Sequence, residues 1–366
     1  MDVMEAARQF EATGGTVSHM ECGQPGTPAP RLATERLAAE MAAGASMGYT
    51  VALGLPELRK GIADLYRARH GLDLNPDRVV VTPGSSGAFS LAFLALFDVG
   101  ERMALADPGY PAYRNILHAL DIEVVRLAGH VETGYQPTLA ALDGAGKLDG
   151  LLVASPANPT GTMLDRKALA ALSDWCRERG ATFVSDEIYH GLTYDIPAVS
   201  ALEIDDDAIV INSFAKYFSM TGWRVGWMVV PETMIRTIEN LAQNLFICSS
   251  HASQLAALGA LEATEELEGH RAVYRVNRGR LMQALPSLGF TEISPTDGAF
   301  YIYATLPAEA PDSPEFCARL LEEAGVATTT GLDFDPVRGH RTLRFSFART
   351  EEEIAEGVHR LSDFMR

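Results

Sequence analysis

The stretch SFAKYFSMTGWRVGW, residues 213–227, decides how the chain is read. It continues from AIVIN (208–212), which has the composition of a buried strand, so Lys216 stands just past a strand's carboxyl end. Its only charged company is Arg224, eight residues on. An ordinary lysine sends its ammonium to solvent, because lysine is almost never fully buried unless paired. A partly desolvated lysine instead has a lowered pKa and becomes a nucleophile able to form a Schiff base. The surrounding sequence has to choose between these two roles.

Outward from this stretch, AIVINS (208–213) is joined by RVVVT (78–82), RMALA (102–106), IEVVRL (122–127), GLLVAS (150–155), ATFVS (181–185) and VGWMVV (225–230). These runs are short, apolar and mostly non-alternating, as strands covered on both faces are. Helical patterns lie between them. One spans 55–71, with Pro56 at a first helical position and Gly71 to close it; another spans 165–180, from Asp165 to Gly180. The alternation predicts an α/β fold with a largely parallel sheet. After about residue 250 come long helical stretches, the strands AFYIYA (299–304) and TLRFSF (342–347), and a last helix opened by a Thr350/Glu353 capping box. The expected division is a large α/β domain over 46–270 and a smaller α+β domain formed by 1–45 with 271–366.

Composition narrows the function classes. With 366 residues, 47% hydrophobic and 21% charged, the chain has material for two domains with sizeable cores. Lys and Arg number 30 against 48 Asp and Glu, and a net charge of −18 argues against nucleic acid or an anionic membrane as partner. Cys22, Cys176, Cys248 and Cys317 are scattered with no C-x-x-C pair, which reads as reduced thiols of a cytoplasmic protein. No H-E-x-x-H occurs, so no metal site is expected. The longest apolar run, LAFLALF (91–97), is far short of the about 20 residues a membrane span needs, and the N-terminus lacks a signal-peptide core.

In open α/β sheets ligands gather beyond the carboxyl ends of the strands. Four strands here end in chemically pointed segments: PGSSGAF (83–89), SPANPTG (155–161), SDEIYHG (185–191) and SFAK (213–216). Ser85 and Ser86 open a helix, where backbone N–H groups and hydroxyls suit a phosphate dianion or simply cap the helix. Asp186 could cap the next segment or hold a protonated ring nitrogen. Tyr189 could donate to a ligand oxygen or only pack. Asn158 lies among turn residues. Tyr110, between Pro108 and Pro111, offers a rigid surface for a flat ring. Arg224 is placed to bind an anion as a fork. Arg344 shares a strand face with Ser346, which suits a carboxylate clamp or a solvated surface.

A lysine, a carboxylate for a ring nitrogen, an aromatic wall, a phosphate cradle and a spare arginine describe a site for a phosphorylated pyridine aldehyde. The motifs YTVALGLPELRKGIA, VTPGSSGA, DPGYPAY, SPANPTG, SDEIYHGLTY, SFAKYFSMTGWRVGW, DGAFYIY and LRFSFA stand in order along most of the chain. In this set the chain resembles the class I/II pyridoxal-phosphate aminotransferases of fold type I, whose large domain is built on a mainly parallel seven-stranded sheet. The resemblance implies that Lys216 holds the cofactor as an aldimine and moves the substrate Cα proton, and that Asp186 keeps the ring nitrogen protonated. It implies that Tyr189 and Asn158 bond the ring's phenolic oxygen and that Tyr110 stacks on the ring. Ser85, Ser86, Ser213 and Arg224 would hold the phosphate. Arg344 would clamp the substrate carboxylate with help from Asn158 and the backbone at Gly23. Tyr49 matches a tyrosine that reaches the neighbouring subunit's phosphate, which implies a homodimer with shared sites. One departure is TTTGLDFDP (328–336), which replaces a proline-glycine turn near the substrate.

The implied activity is ping-pong transfer of an amino group from an L-amino acid to a 2-oxo acid through a pyridoxamine phosphate form. The same site could serve a carbon–sulfur β-lyase that releases pyruvate and ammonia. A more distant alternative is a non-catalytic regulator that binds the cofactor. No residue pattern assigns the substrate side chain.

Overall fold

The computed structural model describes residues 2–366. Its strands, in chain order, are β1 (Ser18–His19), β2 (Val79–Thr82), β3 (Arg102–Asp107), β4 (Glu123–Ala128), β5 (Gly150–Ala154) and β6 (Thr182–Asp186). They continue as β7 (Ile209–Ser213), β8 (Gly226–Val229), β9 (Tyr301–Thr305), β10 (Val326–Ala327), β11 (Thr329–Thr330) and β12 (Thr342–Ser346). Seven of them form one sheet in the order β2-β8-β7-β6-β5-β3-β4. Only β8 is reversed, antiparallel to both β2 and β7; the other pairings are parallel.

The lack of alternation in these strands has its cause in two apolar faces. Val80, Met103, Leu105, Leu152, Val184, Ile209, Ile211 and Met228 pack on one side, against helices that include Gly84–Leu96 and Pro111–Ala119. Their sequence neighbours Val79, Val81, Ala104, Leu151, Val153, Phe183, Val210 and Trp227 pack on the other, against Pro56–His70 and Arg166–Arg179. Successive side chains of a strand point to opposite faces, so burial of both requires an unbroken apolar run.

Helix ends follow their punctuation. Pro56 opens its helix and Gly71 closes it at φ 69°. Asp165 accepts the Ala168 N–H at 2.7 Å. Thr350 and Glu353 cap each other's N–H groups at 3.2 and 3.0 Å.

A second, antiparallel sheet has the order β11-β12-β9, and β1 pairs with β10. In its register Arg344 lies opposite both Thr329 and Tyr303. Helices Ser313–Ala324 and Glu351–Phe364 flank these strands. Among the described residues, no helix is long and apolar enough to cross a membrane.

Candidate active site

The carboxyl ends of β5, β6 and β7 and the start of helix Gly84–Leu96 converge on a cavity of about 410 Å³, a size usual for small-molecule sites. Lys216 lies on the turn after β7 and is half-buried. Its Nζ donates to the Gly23 carbonyl at 2.5 Å. Burial, and next the nearby Arg344 guanidinium, pull its pKa down to about 8. A lysine so lowered is more readily neutral than an exposed one, which suits Schiff-base chemistry.

Asp186 ends β6 and is buried. Burial pushes its carboxyl up to about 6, opposed by hydrogen bonds from the Tyr113 hydroxyl and the Ile188 N–H and by the charge of Lys216. Tyr113 bonds Oδ2, while Ile188 N–H reaches Oδ1 at 3.0 Å. A buried carboxylate held only by neutral donors fits a cationic ligand group, such as a protonated ring nitrogen. Tyr189 donates to or accepts from Tyr301 across 2.9 Å between the two hydroxyls.

At another part of the cavity, Gly84, Ser85 and Ser86 form the first turn of their helix. The Arg224 guanidinium rests against Gly84, where a Cβ would fall 2.4 Å from Nη2; Gly84 also takes φ +71°. Helix N–H groups, two hydroxyls and a guanidinium together fit a phosphate dianion. Ser86, Arg224 and Tyr110 are exposed on this chain, so this end opens to solvent.

Arg344 is buried, not on a solvated strand face. Its Nη1 donates to Asn158 Oδ1 at 3.1 Å, and Nη2 donates to the Glu21 carbonyl at 2.6 Å and to Thr329 Oγ1 at 3.2 Å. Its guanidinium carbon lies 4.4 Å from the Tyr301 ring centre and 4.7 Å from that of Phe334. Nε is buried with no partner, which leaves hydrogen-bonding capacity for an anionic ligand. A Cβ on Gly23 would meet Tyr301 Oη at 2.9 Å, so the close approach of this backbone requires glycine.

Ten of the twelve anticipated site residues therefore line one cavity: Gly23, Ser85, Ser86, Tyr110, Asn158, Asp186, Tyr189, Lys216, Arg224 and Arg344. Ser213 does not. It is buried behind the wall, its hydroxyl donating to the Val225 carbonyl and accepting the Ala215 N–H, both at 3.1 Å, so it braces the turn that carries Lys216. Tyr49 also lies outside the lining and is 81% exposed. Sequence reasoning missed Tyr113, Tyr301, Cys22, Phe334, and Val3 and Met4 of helix Asp2–Ala12, all in the lining. Tyr113 had a usable signal: it follows Tyr110 by three residues at a helix start, which brings the two to one side.

Behind Asp186, buried Glu187 accepts hydrogen bonds from Ser200 Oγ at 2.9 Å and from the Ala201 N–H at 2.7 Å. His190 Nδ1 is 3.3 Å from Glu187 Oε2, and its Nε2 donates to the Ser155 carbonyl at 3.0 Å. Burial pushes Glu187 up to about 8 and His190 well below its usual range. His190 Nδ1 makes no hydrogen bond with that carboxyl, and it is the Nε2 bond to Ser155 that ties the strand end bearing Asp186 to the one leading to Asn158.

Comparison with known proteins agrees with this geometry. The family model for aminotransferase class I and II matches residues 22–361. The chain is 45% identical over 372 residues to the valine–pyruvate aminotransferase of Mycobacterium tuberculosis, covering 100% of this chain and 95% of that protein. A crystal structure of an aminotransferase from the same organism superposes with a TM-score of 0.97 at 44% identity, over 100% of this chain and 95% of that one. A double mutant of Thermus thermophilus aspartate aminotransferase gives a TM-score of 0.92 at 30% identity, covering 99% and 95%. The chain belongs to the class I and II aminotransferases, is a fold type I enzyme, and transfers an amino group between an amino acid and a 2-oxo acid.

Proposed function

We propose that the enzyme binds pyridoxal 5′-phosphate through Lys216 and uses L-valine and pyruvate as an amino donor and acceptor pair. The observation that carries the cofactor assignment is the pKa-lowered Lys216 amine facing a cavity that also holds buried Asp186 and Arg344. The pair is suggested by the name of the relative that is 45% identical over its full overlap.

Each residue then has a task. Asp186 holds the ring nitrogen's proton, and Tyr113 and the Ile188 N–H keep that carboxylate ionised. Gly84, Ser85, Ser86 and Arg224 bind the phosphate. Tyr110 walls the ring, and Tyr189 and Asn158 donate to its phenolic oxygen. When bound, the cofactor supplies an electrophilic carbonyl and an electron sink. Arg344 clamps the substrate carboxylate, with Asn158 and the Gly23 backbone fixing its orientation. Lys216 Nζ, readily neutral, takes the proton from the substrate Cα.

The division into 46–270 and 1–45 with 271–366 belongs to the same reading, since β9, β11 and β12 form a sheet separate from that of Lys216 and Asp186. So does a homodimer. Tyr49 is 81% exposed and Val51 58%, and a partner subunit would cover them and bring Tyr49 to the open phosphate end of its neighbour's cavity. We place the enzyme in the cytoplasm, in keeping with its four free thiols.

Reduction of the loaded enzyme with borohydride, followed by peptide mass mapping, is expected to find the cofactor on Lys216. Alanine formation from valine and pyruvate should vanish in Lys216→Ala. Cofactor found on another lysine, or turnover retained by that variant, would defeat the assignment.

A further inference from the structure

One wall of the cavity has no task in the scheme above. It consists of Val3 and Met4 from helix Asp2–Ala12, Cys22, and Phe334. Met4 Sδ lies 3.9 Å from Cys22 Sγ. Cys22 sits between Glu21, whose carbonyl receives Arg344 Nη2, and Gly23, whose carbonyl receives Lys216 Nζ. Phe334 covers the Arg344 guanidinium. The apolar wall therefore begins where the amine and the carboxylate clamp end. A substrate whose Cα lies between those two groups turns its side chain toward this wall.

Charge around the cavity points the same way. Among the described lining residues the cations are Lys216, Arg224 and Arg344, and the proposed scheme uses all three. The other charged residues there, Glu21, Asp186 and Asp333, are acidic. This chain therefore offers no further cation at the lining to pair with a second substrate carboxylate, and burying one unpaired is strongly unfavourable.

We infer that the enzyme selects amino acids with uncharged, apolar side chains, and that Met4, with Val3, Cys22 and Phe334, forms the surface that reads them. This rests on the cofactor and clamp assignments above and deepens the reading of L-valine as donor, because it assigns the residues of this chain that choose the side chain. Met4 is 39% exposed, so its replacement leaves the core intact. Its flexible thioether suits a wall that must fit side chains of varied shape.

The test uses the holoenzyme and two unreactive acids, 3-methylbutanoate and butanedioate, with dissociation constants from calorimetry and KM for L-valine and L-aspartate alongside. Wild type is expected to favour 3-methylbutanoate by about tenfold or more, the scale of apolar side-chain discrimination. Met4→Ala should shrink that ratio, and Met4→Arg should shift it toward butanedioate, with the change falling on KM more than on kcat. Tighter binding of butanedioate by wild type, or a ratio unmoved in Met4→Arg, would overturn the inference. Borohydride trapping on Lys216 before any acid is added separates the cases. Trapped cofactor with the wrong preference sinks only this inference, whereas absence of trapped cofactor overturns it together with the assignment beneath it.

Discussion

Asp186→Asn should stabilise the cofactor-free protein at neutral pH while weakening its grip on the cofactor. In the folded chain burial raises the carboxyl from 3.8 to about 6. The folded state therefore keeps a proton that the unfolded state has lost across that interval, and stability falls as pH rises through it. The full cost of the ionised carboxylate is about 3 kcal/mol, reached near pH 6 and constant above. Asparagine removes the charge and keeps polar atoms for the Ile188 N–H and the Tyr113 hydroxyl. Urea unfolding of both apoproteins at several pH values should show the variant more stable by up to about 3 kcal/mol above pH 6, with the difference vanishing near pH 4. Added pyridoxal phosphate should reverse the order, since only the aspartate offers a counter-charge to the ring nitrogen. An apo variant less stable at pH 8, or a difference independent of pH, would refute the reasoning.

Other outcomes follow from the same geometry. Arg344→Lys loses the fork that spans Asn158 and Glu21; KM for the amino acid should rise about 10- to 100-fold in steady-state kinetics, the scale of one charged hydrogen bond. Gly84→Ala puts a Cβ 2.4 Å from Arg224 Nη2 at φ +71°, so cofactor titration should show binding weakened by about tenfold, as loss of one phosphate partner implies. Glu187→Gln should raise the urea midpoint at pH 7, by up to about 3 kcal/mol of stability, because the folded chain holds a proton there that the unfolded chain has lost, and the difference should vanish near pH 4. At pH 4, where that linkage is absent, Glu187→Ala should cost about 1–3 kcal/mol by orphaning the Ala201 N–H and Ser200 hydroxyl.

Strand ends were the legible part of this site. Lys216, Asp186 and Asn158 each follow an apolar run too short and too uniform to be anything but a doubly covered strand, and the sheet then brings the ends together. Arg344 was legible as a residue but not in its setting. Its partners Glu21 and Asn158 lie 323 and 186 residues away, and no local pattern encodes such a contact. Helix Asp2–Ala12 was missed for a similar reason, since only its position above Cys22 turns Val3 and Met4 into lining residues. Ser213 is placed differently from the lining residues: the turn that carries Lys216 engages its hydroxyl with the backbone.

The reversal of β8 restricts where this chain can change length. Between two parallel neighbours the backbone must return through a crossover of about a dozen residues or more, which tolerates insertion. Because β8 runs antiparallel to β7, the link between them is the short segment 214–225, and it carries both Lys216 and Arg224. Adding or deleting a residue there would slide the amine relative to the guanidinium beside Gly84 and misalign the two ends of one bound molecule. Length variation among proteins sharing this site is thus expected in the connections at the far edge of the sheet, and excluded from this one.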